Sequence, residues 1–423
     1  MFRGLFRLAT TVTLSLLPVT ALAQLAPGRT IEELKTETQA RADRDAYPLT
    51  GLRADDVREA LARIHSLDRD EWAAAWSLVA DRYAERARTE EANHQAMAAQ
   101  SDYLDAWRLY SFARWPVTNS PGKEQAYARA LEAFAGYARY LDPPIETVRI
   151  PFEGAEIIGY LRLPAHARPA PLVLTVSGLD SRKEDNLERS DSFVQRGIAV
   201  LCLDMPGTGQ APIKAEVGAE RMFARALDYL DARSDVDPKR VAVQGRSWSG
   251  YWAAKLAILE RERLRGAVVQ GGPIHLYFQP EWQTKALGTR EYLFDLFPAR
   301  ASVYGVKTLD EFLAYGPHLS LKEQGLIGKP SAPMLLVNGD KDSQVPIADL
   351  ELLLHAGSPK EAWVNPEGGH MGRSVDWPDG RIFAEITMPW LVRNLLLQKE
   401  DTDPSKSDAH RSEIEHAGDN PSR

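Results

Sequence analysis

The stretch that decides the fold is residues 245–250, which read Gly-Arg-Ser-Trp-Ser-Gly. The apolar run at residues 240–244 precedes it and is typical of a buried strand, and residues 251–257 have the composition of a helix. A strand, a sharp Gly-x-Ser turn and a helix form a nucleophile elbow, in which the turn exposes the serine above the sheet edge. Ser247 is therefore the candidate nucleophile.

The elbow departs from the usual Gly-x-Ser-x-Gly pattern at one position. Ser249 stands where the second glycine is expected, and Gly250 follows one residue later. A small residue is needed there because helix and strand approach closely, and serine is small enough, so we interpret the change as a variant elbow. The alternative is a chance Gly/Ser-rich turn, and the rest of the site must decide between the two.

A serine nucleophile needs a base and an acid, in the chain order Ser, Asp or Glu, His. Acids follow a buried strand in residues 336–346, and a histidine follows the last predicted strand in residues 366–372. We predict Asp342 as the acid, since the chain turns at Gly339 before presenting it; Asp340 is the alternative. His370 follows two glycines and is the predicted base. The other late histidines fit less well: His318, His355, His410 and His416.

An oxyanion hole requires two backbone N–H donors. One is predicted at Trp248, directly after the nucleophile, and the other in the loop after Val176. Leu179 is our choice in that loop and Gly178 is the next candidate, although an ordinary glycine turn is the alternative reading. His275 follows another strand end and is a candidate for substrate contact; a plain loop histidine explains it equally well.

Three regions are visible along the chain. Residues 24–145 are largely helical and predict a cap domain, whereas strands and helices alternate through residues 146–398. Continuous apolar strands separated by helices predict a mostly parallel, doubly wound sheet covered on both faces, the α/β-hydrolase fold. Within it, the aromatic-rich stretch at about 273–330 interrupts the alternation and is interpreted as a lid. Residues 399–423 have almost no apolar content and predict a disordered polar tail.

Bulk properties exclude several functions. The net charge of −8 argues against a nucleic-acid binder, which would carry a basic face. Cys202 is the only cysteine and there is no His-Glu-x-x-His motif, so neither a metal nor another cofactor is expected. Residues 204–209 contain glycines but lack the lysine of a phosphate loop, and we interpret them as a structural turn.

The first 23 residues predict a Sec-type signal peptide. Two arginines are followed by an apolar stretch at residues 8–20 and by Ala-Leu-Ala before Gln24. That stretch is short for a membrane span, so we expect no span in the mature protein, which would begin near Gln24 and be periplasmic or secreted.

The combined motifs resemble a known family. They are residues 150–154, 159–164, 178–184 and 204–209, together with the elbow and the late Asp and His. The pattern is similar to the 2,6-dihydroxypseudooxynicotine hydrolase and FrsA-like esterase group over about residues 92–397, and fungal hydrolases that shorten pigment polyketides are similar too. The resemblance implies a serine hydrolase with a helical cap and suggests a homodimer. Some relatives cleave carbon–carbon bonds and others are assigned esters.

The leading hypothesis is a hydrolase of carboxylic esters or of 1,3-diketone-like C–C bonds, since one triad serves both. The aromatic residues Trp107, Tyr110 and Trp115, with those of the lid, hint at an apolar or aromatic small-molecule substrate, but we favour core roles for most of them. Three alternatives stay open: a serine peptidase of prolyl-oligopeptidase type, an acyltransferase, and a catalytically dead binding protein. The first usually carries a long β-propeller, whereas the N-terminal region here is short and helical.

Overall fold

The computed structural model of the protein describes residues 28–396. The predicted signal peptide and the predicted polar tail lie outside the described residues.

Five helices come before the first strand. Thr30 and Glu33 form a capping box at the start of the first helix, and the Asp68 side chain accepts the first free N–H groups of the third. The expected aromatic core is confirmed: Trp107, Tyr110 and Trp115 are only 2–3% exposed. The helices are α1 (Ile31–Asp43), α2 (Ala54–Ala62), α3 (Arg69–Ala92), α4 (Ala96–Ala113) and α5 (Pro121–Ala138).

An eight-stranded sheet follows, and every predicted strand is present in it. The spatial order is β1-β2-β4-β3-β5-β6-β7-β8; β1 and β2 form an antiparallel hairpin, β2 is antiparallel to β4, and all other neighbours are parallel. The strands are β1 (Ile145–Phe152), β2 (Ala155–Arg162), β3 (Ala170–Val176), β4 (Ala199–Leu203), β5 (Val236–Arg246), β6 (Leu264–Gln270), β7 (Met334–Gly339) and β8 (Glu361–Asn365).

Helices cover both faces of the sheet, which explains the continuous apolar runs. All residues of β3 and β4 are buried, as expected of parallel strands packed on two sides. The helices are α6 (Lys183–Leu187), α7 (Asp191–Val194), α8 (Arg221–Asp231), α9 (Ser249–Leu259), α10 (Pro280–Leu287), α11 (Leu296–Tyr304), α12 (Leu309–Tyr315), α13 (Ile347–Leu354), α14 (Asp379–Ile382) and α15 (Met388–Leu396). None of the helices between residues 28 and 396 is both long and apolar enough to cross a membrane.

The lid segment between β6 and β7 packs directly on the helical region. Trp115 stacks on Tyr292 with ring centroids 4.9 Å apart, and Arg69 pairs with Asp295 at 2.7 Å. Near the start of the described chain, Arg29 donates to the main-chain oxygen of Tyr292 at 2.6 Å. These contacts join the helical region before β1 to the segment between β6 and β7.

Candidate active site

The elbow holds Ser247 in a conformation that few residues adopt. Ser247 follows β5 and has a φ of +57°, in the left-handed region that non-glycine residues rarely occupy. Its N–H donates to the Gln270 main-chain oxygen at 2.7 Å, and its own carbonyl accepts from Gly250 N–H at 2.8 Å. The end of β6 and the start of α9 thus fix this turn, and the serine hydroxyl is left for other partners.

Ser249 fits the elbow because the positions without room for a Cβ atom are 245 and 250, not 249. A Cβ on Gly245 would lie 2.1 Å from the Ser249 oxygen, and one on Gly250 would lie 2.5 Å from the Gly272 Cα. Glycine is therefore required at positions 245 and 250. The buried Ser249 hydroxyl accepts from the Arg246 N–H at 2.8 Å and donates to the Val176 oxygen, also at 2.8 Å. The variant residue thus links the elbow to the end of β3.

The structure brings the three predicted triad residues together. Ser247 Oγ lies 2.7 Å from His370 Nε2, and His370 Nδ1 lies 2.8 Å from Asp342 Oδ2. Asp342 and His370 are 6% and 8% exposed, so both are shielded from water, whereas Asp340 is exposed and has no part in these contacts. This geometry favours Asp342 over Asp340 as the partner of the histidine.

Asp342 is held in its charged form. Burial alone would raise the pKa of its carboxyl, but His370 and two main-chain N–H groups outweigh burial and keep this pKa below its ordinary value. Those N–H groups belong to Gln344 and Val345 and donate to Asp342 Oδ1 at 2.7 and 3.0 Å. One carboxylate oxygen is therefore bound by the main chain, and the other faces the imidazole.

A second set of contacts holds the loops that carry the acid and the histidine. The Asn338 side chain accepts from the Met371 N–H at 3.0 Å, and the Gln270 amide donates to the Met371 oxygen at 3.0 Å. From the lid, the Glu291 carboxylate accepts from the His370 N–H at 3.3 Å and from the hydroxyl of Ser343. Glu291 carries no signal in the sequence, because it lies in an irregular segment with no motif.

The contacts of the loop after β3 favour Leu179 over Gly178 as the second oxyanion donor. The Gly178 N–H already donates to Ser181 Oγ at 2.8 Å. The N–H groups of Leu179 and Trp248 have no protein acceptor within residues 28–396. A Cβ built on Gly178 would lie 3.5 Å from the Ser247 Cβ, so this loop lies directly against the elbow.

A buried ion pair supports that loop. Asp204 Oδ2 lies 3.2 Å from Lys183 Nζ, and Asp204 also accepts from the main-chain N–H groups of Lys183 and Gln210 at 2.9 and 3.0 Å. The Ser177 hydroxyl, at the start of the loop, donates to the same carboxylate at 3.3 Å. These contacts agree with the interpretation of residues 204–209 as a structural turn.

His275 belongs to a different network. Its ring Nδ1 lies 2.8 Å from Ser320 Oγ, and its N–H is one of four that donate to the buried Asp349 carboxylate. None of its hydrogen bonds within residues 28–396 involves the triad. The structure therefore gives His275 a role in holding the start of the lid, and substrate contact by this residue stays a prediction.

The remaining candidate groups are the side chains able to bind a metal ion and the single cysteine, Cys202. Among residues 28–396 no cluster of three His, Cys, Asp or Glu side chains has a geometry suited to a metal ion. Cys202 is fully buried beside Thr175, and burial raises the pKa of its thiol to about 12. A thiol with that pKa is protonated at neutral pH and unreactive.

The fold, with the elbow at the end of its fifth strand, defines an α/β-hydrolase. The sheet and flanking helices match a crystal structure of 2,6-dihydroxy-pseudo-oxynicotine hydrolase with a TM-score of 0.68 at 22% identity, over 82% of this chain and 94% of that one. A structure of AbyA5 matches with a TM-score of 0.65 at 20% identity, over 92% and 100%. At these identities the likeness establishes the fold alone.

The family follows from the sequence comparisons. The family model described as esterase FrsA-like matches residues 55–362, and the chain belongs to this FrsA-like esterase family. It is 31% identical over 264 residues to esterase FrsA of Enterobacter sp. (strain 638), which covers 61% of this chain and 62% of the relative. It is 24% identical over 285 residues to 2,6-dihydropseudooxynicotine hydrolase of Paenarthrobacter nicotinovorans, which covers 67% and 74%. The chain thus matches less than two thirds of the length of the Enterobacter relative.

Proposed function

We propose that the protein is a serine hydrolase that cleaves carboxylic esters with Ser247, His370 and Asp342 as its triad. The observation that carries the proposal is the continuous hydrogen-bonded chain from Ser247 Oγ to His370 (2.7 Å) and from His370 to Asp342 (2.8 Å). Both distances lie in the hydrogen-bonding range that a catalytic triad requires between nucleophile, base and orienting acid. Membership of an esterase family supports the same bond type.

In the proposed reaction, Ser247 Oγ attacks the ester carbonyl while His370 Nε2 takes its proton. Asp342 accepts from His370 Nδ1, so that Nε2 is the free base in the neutral ring, and then stabilises the imidazolium. The free N–H groups of Trp248 and Leu179 bind the oxyanion. His370 returns the proton to the leaving alkoxide, and water then releases the acyl group by the same steps in reverse order.

Cleavage of a 1,3-diketone-like C–C bond is the second candidate. The enolate that leaves in such a reaction is a stabilised anion, so the same triad and the same oxyanion donors serve it. The sequence similarity to 2,6-dihydropseudooxynicotine hydrolase over 67% of this chain, together with the C–C cleavage that the sequence resemblance implies, supports keeping this candidate beside the ester. The shape of the pocket, rather than the triad, would decide between the two substrates.

A side-by-side assay tests both candidates. The protein without residues 1–23 is incubated with a short-chain p-nitrophenyl ester and, separately, with an aryl 1,3-diketone, and Ser247→Ala serves as the blank. Serine-dependent turnover of the ester supports an esterase, and serine-dependent turnover of the diketone supports a C–C hydrolase. If neither substrate reacts above the blank and a fluorophosphonate does not label Ser247, the proposal is wrong. The alternative of a catalytically dead binding protein then replaces it.

We also propose that the protein is exported and acts as a homodimer. The N-terminal pattern ending in Ala-Leu-Ala supports cleavage before Gln24. N-terminal sequencing of the protein from a periplasmic fraction should begin at Gln24, and a full-length chain found only in the cytosol would contradict export. Light scattering should give twice the mass of one chain, and the mass of a single chain would contradict the dimer.

A further inference from the structure

Two buried arginines bind the loop that follows β3 and carries the predicted oxyanion donor Leu179. We call residues 177–182 the oxyanion loop. Arg114 directly follows α4, in the helical region before β1, and Arg182 is the last residue of the oxyanion loop itself. Both arginines are only 2% exposed. Burying a guanidinium group is costly unless its charge and its donors are matched, so this placement needs a physical reason.

Ion pairing accounts for little of the placement. The carboxylate of Asp185 lies 3.7 Å from Arg114 Nη2, and Arg182 forms no ion pair within residues 28–396. Burial, and next the charge of Arg114, hold the pKa of Arg182 below its ordinary value. The nearby carboxylates of Asp204 and Asp185 do not outweigh these two effects. The partners of the two guanidinium groups are mainly neutral main-chain oxygens.

The guanidinium groups bind three consecutive carbonyl groups of the oxyanion loop. Arg182 Nη1 donates to the main-chain oxygens of Leu179 at 3.2 Å and of Ser181 at 2.7 Å. Arg114 Nη1 donates to that of Asp180 at 2.5 Å. Because the N–H and the C=O of a trans peptide point in opposite directions, the N–H groups of Asp180 and Ser181 face away from the arginines.

One further carbonyl joins the two arginines to each other. The Pro116 main-chain oxygen accepts from Arg114 Nη1 at 3.1 Å and from Arg182 Nη2 at 3.5 Å. Pro116 lies just beyond α4, and its neighbour Trp115 stacks on Tyr292 of the lid. The oxyanion loop is therefore bound to the helical region before β1 as well as to its own sheet.

The N–H group of Leu179 lies between two fixed points. On one side the Gly178 N–H donates to Ser181 Oγ at 2.8 Å, and on the other the Leu179 oxygen accepts from Arg182. A Cβ on Gly178 would lie 3.5 Å from the Ser247 Cβ, so the fixed segment lies directly against the nucleophile. A donor that is fixed in advance needs no reorganisation when charge develops on the substrate oxygen.

We propose that Arg114 and Arg182 are positioning residues of the oxyanion hole. By binding the carbonyl groups of residues 179–181, they hold the Leu179 N–H where the oxyanion forms. The inference rests on the proposed function and deepens it, because it makes the helical region before β1 part of the apparatus that stabilises the transition state. A purely structural role for the two arginines predicts a loss of stability alone, whereas the proposed role predicts a selective loss of transition-state binding.

The test replaces Arg114 with methionine, which keeps an apolar side chain of similar length and removes the donors. With 4-nitrophenyl butyrate, Arg114→Met should lower kcat by about 10²-fold with little change in KM, because a misplaced oxyanion donor weakens binding of the transition state only. Arg182→Met should show the same pattern. The double variant should lose little more than either single variant, since both arginines act on one loop.

A reversible inhibitor reports on the oxyanion hole directly. When 1,1,1-trifluoroheptan-2-one binds, Ser247 Oγ bonds to its carbonyl carbon, His370 takes the serine proton, and the electron pair of the broken C=O π bond makes the ketone oxygen an oxyanion. The inhibition constant should therefore rise in Arg114→Met by about the factor by which kcat falls. A role in stability alone would leave the inhibition constant of the folded protein unchanged.

Arg162→Met is the matched control. Arg162 is 1% exposed and also binds main-chain oxygens, those of Asp142 at 2.9 Å and of Pro143 at 2.8 Å. None of its hydrogen bonds within residues 28–396 reaches the oxyanion loop. Its loss should lower the urea concentration at which the protein unfolds, but the folded variant should keep the kcat and the inhibition constant of the unaltered protein.

Unchanged kcat and inhibition in folded Arg114→Met, or equal losses in folded Arg162→Met, would overturn the proposal. The rate at which a fluorophosphonate labels Ser247 separates this proposal from the proposed substrate if the protein hydrolyses no ester. Labelling that is slower in Arg114→Met but not in Arg162→Met would then overturn the ester substrate alone. If the unaltered protein is not labelled at all, it has no working oxyanion hole, and both proposals are wrong.

Discussion

Replacing Ser249 with alanine tests whether the variant elbow depends on its hydroxyl. The Ser249 side chain is fully buried, accepts from the Arg246 N–H and donates to the Val176 oxygen, both at 2.8 Å. Alanine keeps the volume close to that of serine but removes both hydrogen bonds. The Arg246 N–H, which is partly buried, then has no acceptor in the turn.

The expected magnitude follows from these contacts. Leaving one buried polar group unsatisfied costs about 1–3 kcal/mol, and the lost bond to Val176 adds about 1 kcal/mol. We therefore expect Ser249→Ala to lower the free energy of unfolding by about 2–4 kcal/mol. Because Ser247 is held in a left-handed conformation by the same turn, its labelling by a fluorophosphonate should slow as well.

The assay is urea denaturation followed by tryptophan fluorescence, with Ser331→Ala as the matched control. The Ser331 hydroxyl is also buried but has no hydrogen-bond partner among residues 28–396, so its removal loses no hydrogen bond and should not lower the free energy of unfolding. If Ser249→Ala unfolds at the same urea concentration as Ser331→Ala, the hydroxyl does not support the elbow and the reasoning is refuted.

Three further predictions concern the triad, the elbow glycine and a buried lysine. Asp342→Asn should lower kcat by about 10³- to 10⁴-fold with little change in KM, because the amide favours the wrong tautomer of His370; steady-state kinetics measure this. Gly250→Ala should destabilise the protein more than Ser249→Ala in the same denaturation assay, since its Cβ would lie 2.5 Å from the Gly272 Cα. Burial lowers the pKa of Lys123 from 10.5 to about 8. The unfolded state therefore binds more protons between these values, and the free energy of unfolding should rise with pH across them.

Each of these predictions has a control. Asp340→Asn alters a neighbouring exposed carboxylate and should leave kcat unchanged; an equal loss in both variants would contradict the assignment of Asp342. Gly380→Ala places a Cβ in open space without a left-handed φ, so it should leave stability nearly unchanged, and equal losses in Gly380→Ala and Gly250→Ala would contradict the contact argument. Lys123→Met should abolish the rise in stability with pH, and a rise that persists in this variant would assign it to another group.

The sheet and the triad geometry were predictable because one physical rule governs both. Strands buried on two faces are mostly apolar along their whole length. Each of them is therefore visible in the sequence as a short continuous run of apolar residues, as in residues 170–176. Polar residues that follow such runs gather at one edge of the sheet, and this brought Ser247, Asp342 and His370 within reach of each other. The family was predictable for the same reason, since its motifs follow the strands.

The supporting contacts were not predictable from the sequence. Glu291 reaches the His370 N–H from a lid segment 79 residues away, and Asp349 binds four N–H groups at the start of the lid from a distant helix. Neither carboxylate stands in a motif, because their positions depend on how irregular segments fold onto the sheet. Arg114 binds the Asp180 carbonyl for the same reason, from 66 residues away.

The contact between the first described residues and the lid has a consequence for how the chain folds. Arg29 donates to the carbonyl of Leu293, 264 residues further along, and Arg290 pairs with Glu33 at 3.0 Å. During synthesis, α1 leaves the ribosome long before the segment on which it packs. Such distant contacts delay the final folding step, because a long loop must close before they form. A polypeptide that stops before residue 290 leaves α1 without this partner, so the cap completes its packing only after most of the hydrolase domain has been made.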